Sequence, residues 1–244
     1  MTRRVPVVVV GTGAAEPAFR ALLEQRSNDI AGVTGLLLVP VEQWGPEPSV
    51  IVNTGAGLTT VMAAVQAGHS AVTADLGELV SAPTDFAVLR ADGRLGLSGA
   101  LLPGFPLAQT LRRQVESGDV IESVEIVGPA LATLVDEALA VSALIGVELR
   151  REDVTIPVDV AAAASWSVVV GHHLPVVRPA SAMLPAPVRT VTVRSRWTGG
   201  DGLTLTGSVG GAEAVAGALL ADLLALAREE DTPWRAHRRR TAAA

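Results

Sequence analysis

The chain has 244 residues, 49% hydrophobic and 18% charged, with a formal net charge of -6; this is enough apolar material for a sizeable core and the wrong charge for a nucleic-acid surface. Aromatic residues make up 3% and cysteine is absent, which removes base-stacking platforms, disulfides, thiolate metal sites and a cysteine nucleophile. All 19 basic residues are arginine and there is no tyrosine, so a Schiff-base lysine, a Walker-A lysine and a Tyr/Lys proton relay are excluded as well.

No apolar run approaches the roughly 20 residues of a membrane span, and no signal-peptide pattern opens the chain. The expectation is a cytoplasmic protein with a small-molecule substrate and neither a nucleic-acid nor a membrane partner. In chain order, residues 5–10 (VPVVVV) form a β-branched run that leads through Gly11, Thr12 and Gly13 into an apolar-periodic segment over 14–23. This is the pattern of a buried strand, a tight turn and a helix. Residues 35–39 (GLLLV) predict a second strand ended by Pro40, and 49–52 a third. Asn53, Thr54, Gly55, Ala56 and Gly57 turn into a helix over 58–67, and 71–73 close a second strand-helix-strand unit. Alternation of this kind implies a parallel sheet.

Beyond residue 90 the pattern changes to longer strands, at 120–127 and 188–196, around helices at 107–115 and 130–145. Further strands fall at 165–170 and 203–206, and a final Ala- and Leu-rich helix at 212–228. The fold class is α/β: a shortened Rossmann-like parallel sheet joined to a second, α+β sheet-and-helix domain. The expected division is 1–90, completed by the helix 212–228, then 91–211, then a disordered tail over 229–244 that carries the Arg235 to Arg240 basic cluster.

Gly11-Thr12-Gly13-Ala14-Ala15-Glu16 stands where a dinucleotide fingerprint stands, after a strand and before a helix. Glu16 replaces the third glycine, where its side chain would crowd helix against strand and set a negative charge near the pyrophosphate position. Val39 and Pro40 replace the acid that binds the ribose hydroxyls. His172 and His173 follow a predicted strand and point to opposite faces, so a shared metal is not expected and no metal site is assigned, but either could act as a general acid or base. Asp75 and Glu78 sit one helical turn apart beyond the fourth strand, where open sheets place their ligands, or else serve as charges suited to a helix dipole. His69 is expected to cap the preceding helix, and Ser98 has no base close in sequence.

Residues 71–80 (AVTADLGELV) resemble the homoserine dehydrogenase segment V-V-T-A-N-K and its following helix. Residues 97–111 with Pro103-Gly104-Phe105-Pro106 are similar to that family's G-G-G-x-P stretch, and 118–125 (GDVIESVE) to its G-D-x-I strand. Val177-Arg178-Pro179 and residues 205–214 (LTGSVGGAEA) resemble its V-R-P and G-P-G-A-G segments. The resemblance spans about residues 5–228. It implies NAD(P) as a cofactor held by Gly11, Thr12, Gly13, Ala14, Ala15, Thr54, Gly55, Thr73, Ala74, Gly207 and Gly211, and a homodimer built by the second region. The departures fall on the chemistry. Leu76 stands where the family carries the lysine of T-A-N-K, and Ala140 where it carries a second lysine; the acidic substrate loop is missing, and Asp136 best matches a family acid. Three functions stay open: a repurposed small-molecule biosynthetic enzyme, redox or non-redox, of specialised or secondary metabolism, with Asp75, Asp136, His172 and His173 as acid-base candidates; an NAD(P)-dependent reductase of a small carbonyl or amino-acid-derived substrate; and a non-catalytic binding or partner protein.

Overall fold

The computed structural model describes residues 2–92, 94–147, 149–156, 165–171, 174–180 and 188–229. The valine run forms β1 (Arg3–Val10), with β2 (Leu36–Val41) on one side and β3 (Val50–Asn53) on the other. β4 (Ser70–Thr73) and β5 (Leu95–Gly96) complete a parallel sheet of order β2-β1-β3-β4-β5. Every residue of β3 and β4 is buried, because helices cover both faces. Successive side chains split between those faces. Val7, Val50, Val52 and Val72 face α1 (Ala15–Thr34) and α7 (Ala212–Glu229) through Phe19, Leu23, Leu219 and Leu223. Val8, Ile51 and Ala71 face α2 (Leu58–Gln66) and α4 (Pro83–Asp92) through Val61, Phe86 and Leu89. A period of two is what a strand with two buried faces requires.

Two expected boundaries move. α1 continues past Leu23 to Thr34 and stops at Gly35, whose φ of +71° lets its N–H close back onto the Ala31 carbonyl; a left-handed glycine is what ends the helix. β2 runs through Pro40 to Val41 instead of ending there. It is the edge strand of its sheet, so the absent proline N–H breaks no ladder on its outer side.

The second sheet is antiparallel in order β10-β9-β6-β7-β8, built from β6 (Ile121–Gly128), β7 (Trp166–Gly171), β8 (Val177–Pro179), β9 (Val188–Ser195) and β10 (Leu203–Ser208). α5 (Leu107–Glu116) and α6 (Leu131–Leu144) cover one face, where Val124, Ile126, Val168 and Val191 meet Leu134, Val135 and Ala138. The opposite face carries hydroxyls and charges. Thr190 and Thr206 share a hydrogen bond of 3.1 Å, Thr192 and Thr204 one of 3.0 Å, and Ser167 donates to Glu125 at 2.8 Å. The two sheets share one apolar cluster, with the short α3 (Leu76–Ser81) and α4 packed against α6.

α7 is fastened by Asp222, only 4% exposed. Its carboxylate accepts from the Ser98 N–H at 2.6 Å, the Ser98 hydroxyl at 2.7 Å and Gln109 Nε2 at 3.2 Å. Gly96 makes room for it, since a Cβ there would stand 2.6 Å from Asp222 Cβ. Leu219, one turn earlier and fully buried, fills the space that Gly99 leaves open. Leu219→Ala is therefore expected to cost about 2–5 kcal/mol, read as a lowered urea midpoint at unchanged slope; an unchanged midpoint would mean that α7 is not packed as described.

Candidate functional site

Three strand-to-helix loops lie side by side at the carboxyl end of the parallel sheet, and Asn53 links two of them. Its Nδ2 donates to Thr73 Oγ1 at 3.1 Å, while its Oδ1 accepts from the N–H groups of Gly55 at 3.1 Å and Ala56 at 2.7 Å. Thr73 Oγ1 also accepts from the Asp75 N–H at 3.0 Å. The hydroxyl and N–H of Thr54 both donate to the Val10 carbonyl, at 3.0 and 2.9 Å. Asn53, Thr54 and Thr73 are each 3% exposed or less. Sequence reasoning named Thr54 and Thr73 but not Asn53 as a site residue; the signal was an Asn at a strand end before a glycine, the side chain that folds back on the following backbone.

Gly11 and Gly13 are demanded by the neighbouring loop. A Cβ on Gly11, whose φ is +93°, would stand 2.6 Å from the Ala56 nitrogen, and a Cβ on Gly13 would stand 1.8 Å from the Thr54 carbonyl oxygen. The β1–α1 and β3–α2 loops thus touch backbone to backbone. Ala14 is the N-cap of α1 and makes no side-chain capping bond, and Ala15 points into the core at 6% exposure. Glu16 does not crowd helix against strand as expected. Its carboxylate pairs with Arg20 along the outer side of α1, and its N–H donates to the Gly13 carbonyl at 2.9 Å.

Two features of this turn count against a pyrophosphate. An anion site at a helix N-terminus needs free N–H donors and no competing negative charge. In the first turn of α1, the Glu16 N–H is already bonded, Pro17 has none, and a carboxylate is present. Gly13 is met by a carbonyl oxygen, an acceptor. One element of a nucleotide site does survive. Because β2 ends at Val41, the next residue is the exposed Glu42, an acid where the ribose carboxylate of a dinucleotide fold stands. Stopping the strand at Pro40 had hidden it.

The remaining candidates are dispersed. Asp75 is half-buried just beyond β4, and α3, which follows it, packs against α6. Ala74 donates its N–H to the Asn53 carbonyl at 2.9 Å. Gly207 lies against the Phe105 ring, the Gly210 N–H donates to the Pro103 carbonyl at 3.1 Å, and Gly211 accepts from Val215 at 3.1 Å to open α7. The 98–105 turn reaches the end of β4 at Gly99, where a Cβ would stand 3.1 Å from the Thr73 carbonyl. His69 donates its backbone N–H to the Ala64 carbonyl at 3.0 Å, which caps α2 as expected, and its ring Nδ1 accepts from the Ser49 N–H at 3.2 Å, so the side chain also ties two strand starts together. Ser98 gives its hydroxyl proton to Asp222 rather than to a histidine. His172, His173 and the Glu78 side chain lie outside the described residues.

Asp136 on α6 has its Oδ1 within 3.2 Å of Nη2 of Arg151, which lies beyond the helix, an ion pair without hydrogen-bond alignment. The adjacent Glu137, 3% exposed, was not foreseen. It accepts from Arg189 Nε at 3.4 Å, and the Arg189 side chain lies over Gly128, where a Cβ would come 2.5 Å from its Cδ. Burial pushes the Glu137 carboxyl up from 4.5 to about 7; the Arg189 guanidinium pulls it down and the Asp136 charge adds to the rise. Leu76 packs on the core and Ala140 is 1% exposed.

No protein-family model matches the sequence, and no curated protein matches it at a significant level. Solved structures do match. A Candida auris protein of unknown function superposes with a TM-score of 0.74 at 13% identity, covering 93% of this chain and 99% of that one. The homoserine dehydrogenase of Thiobacillus denitrificans gives 0.70 at 15% identity, covering 93% and 74%. A hyperthermophilic archaeal homoserine dehydrogenase in complex with NADPH gives 0.68 at 12% identity, covering 93% and 98%. The fold class is a parallel α/β sheet joined to an antiparallel sheet with helices on one face. It is the homoserine-dehydrogenase-like fold.

Glu137 makes stability depend on pH. Its proton is held more tightly in the native state than in the unfolded chain, so its stabilising contribution is complete below pH 4.5 and lost as pH rises to about 7. The full span is on the order of 3 kcal/mol. Glu137→Gln should flatten the fall in unfolding free energy between pH 5 and 7, measured by urea titration; equal slopes in variant and wild type would refute the assignment.

Proposed function

We propose that the protein is a small-molecule enzyme on the homoserine dehydrogenase frame that does not perform the homoserine dehydrogenase reaction. The observation that carries this reading is the pair Leu76 and Ala140. They occupy the positions where the resembled family carries its lysines, on helices α3 and α6 that pack together, and neither side chain can exchange a proton. The carboxylate and the proline in the first turn of α1 disfavour a pyrophosphate there, which supports a non-redox reaction. The substrate is a small, amino-acid-derived metabolite held at the carboxyl end of the parallel sheet, where open α/β sheets collect ligands, and the setting is biosynthetic. Acid-base roles fall to Asp75 and Asp136, with His172 or His173 approaching from the second region. Residues 1–90 with the final helix form the nucleotide-type domain and 91–211 the substrate and dimerisation domain. A homodimer joins through the open hydroxyl-rich face of the antiparallel sheet.

A second reading has observations of its own. The archaeal neighbour's complex with NADPH and the placement of Glu42 favour an NAD(P)-dependent reductase of a small carbonyl compound. Titration with NADH and NADPH under thermal unfolding separates the two. A ligand present at 100 times its dissociation constant stabilises by about 2.7 kcal/mol, so a clear shift with either nucleotide favours the reductase and no shift favours the non-redox enzyme. Homoserine oxidation and aspartate semialdehyde reduction should both be undetectable. Turnover anywhere near the usual range of about 1–1000 per second would overturn the primary reading. Once a substrate is found by metabolite screening, Asp75→Asn and Asp136→Asn should each lower its turnover at least tenfold while remaining folded; full activity in both would move the chemistry elsewhere.

A further inference from the structure

A second cavity, of about 130 Å³, lies away from the crevice, between the edge strand β5, helix α5 and the second half of α7. Aliphatic side chains form most of its wall, with Leu95, Leu144, Ala225 and Leu226 among them. The Asp222 carboxylate also reaches the wall, but its hydrogen bonds to Ser98 and Gln109 commit it to the packing of α7. The cation is different. Arg113 lies one helical turn beyond Gln109 on α5, on the exposed side of the cavity, and its guanidinium makes no ion pair or hydrogen bond among the described residues.

We propose that this cavity binds a short straight-chain carboxylate, with its hydrocarbon chain against the aliphatic wall and its carboxylate on Arg113. A single water needs about 10–15 Å³ of such space, so the cavity has room for more than one water and for a short chain. Water gains little there, because aliphatic side chains offer it no hydrogen bonds. Each methylene that leaves water for such a wall strengthens binding about fourfold. The head group has one suitable partner. A guanidinium takes a carboxylate in a two-bond fork, and Arg113 has its donors free for it. Asp222 meets Gln109, which stands about 6 Å of helix rise before Arg113, so the incoming carboxylate sits nearest the guanidinium, at the wet rim where the Asp222 charge is screened. An amine of the same length would set like charges together and is disfavoured. The site is separate from the crevice and does not depend on the reaction proposed for it.

Thermal shift and calorimetry on the full chain with acetate, butyrate and valerate, each against sodium chloride at equal ionic strength, test this. Butyrate or valerate should bind, and acetate, shorter than butyrate by two methylenes, should bind about fifteenfold more weakly. Butylamine, with the same chain and the opposite charge, should bind about tenfold more weakly than butyrate or not at all. Arg113→Gln, at an exposed position, should weaken butyrate binding about tenfold, and Ala225→Leu, which fills the cavity, should abolish it. If Ala225→Leu does not fold, Arg113→Gln and the butylamine comparison decide. No response to butyrate or valerate, the outcome for a cavity that holds only water, overturns the proposal. So does butylamine binding as tightly as butyrate, or butyrate binding that persists unchanged in Arg113→Gln or in folded Ala225→Leu.

Discussion

A buried carboxylate at Asp222 joins the two halves of this molecule. It sits on the helix that covers one face of the parallel sheet, and its three donors come from the end of β5 and from α5, the first helix of the second region. A carboxylate taken out of water is costly unless its oxygens are hydrogen-bonded, so these contacts must form together. The glycines follow from that. Gly96 cannot carry a side chain because Asp222 is there, and Gly99 cannot because Leu219 is there. The turn that leaves β5 is thereby pressed onto the end of β4, which aligns the carboxyl ends of the strands with the second region.

The floor of the resulting crevice is held by hydrogen bonds and by backbone contact. Asn53 links two loops, and the glycine turn after β1 rests directly on the Thr54 and Ala56 backbone. A glycine pair between strand and helix is commonly attributed to the phosphate it admits. Here the same residues are accounted for by contact between two loops, without any ligand. The first turn of α1 offers a carboxylate and a proline where a phosphate would need donors. The likeness to dehydrogenases therefore lies in the backbone, and the side chains facing the crevice are this chain's own.

The buried pair Glu137–Arg189 shows another departure. Removing one partner of such a pair leaves an uncompensated buried ion, which destabilises far more than the intact pair stabilises. It crosses from α6 to β9 over Gly128 and joins the helix that also carries Asp136 and Ala140 to the sheet. Its raised carboxyl value is a property of burial, and its bond to Arg189 ties α6 to β9.

Much of the architecture was legible along the chain. The valine run, the glycine turns, and the switch from alternating strands and helices to long antiparallel strands predicted where those elements begin to within a few residues, because local periodicity and turn chemistry act over short stretches, whereas the far end of α1 and the short α4, β5 and β8 were not read. Pro40 misled for the same reason: only the sheet shows that β2 is an edge strand, which tolerates proline, and so only the sheet places Glu42 at its end. Glu16 was read as an obstruction because its direction depends on the rotation of α1 and on Arg20 one turn away. Asn53, Glu137, Arg189 and Asp222 drew no notice as site or fastening residues, since a polar side chain becomes remarkable only when it is buried, and burial depends on partners 20 to 124 positions distant. Residue types settled early which chemistry is impossible here, with no lysine, tyrosine or cysteine anywhere. Which of the remaining groups meet, and which are sealed from solvent, was decided by packing, because distance and dielectric are properties of the folded chain.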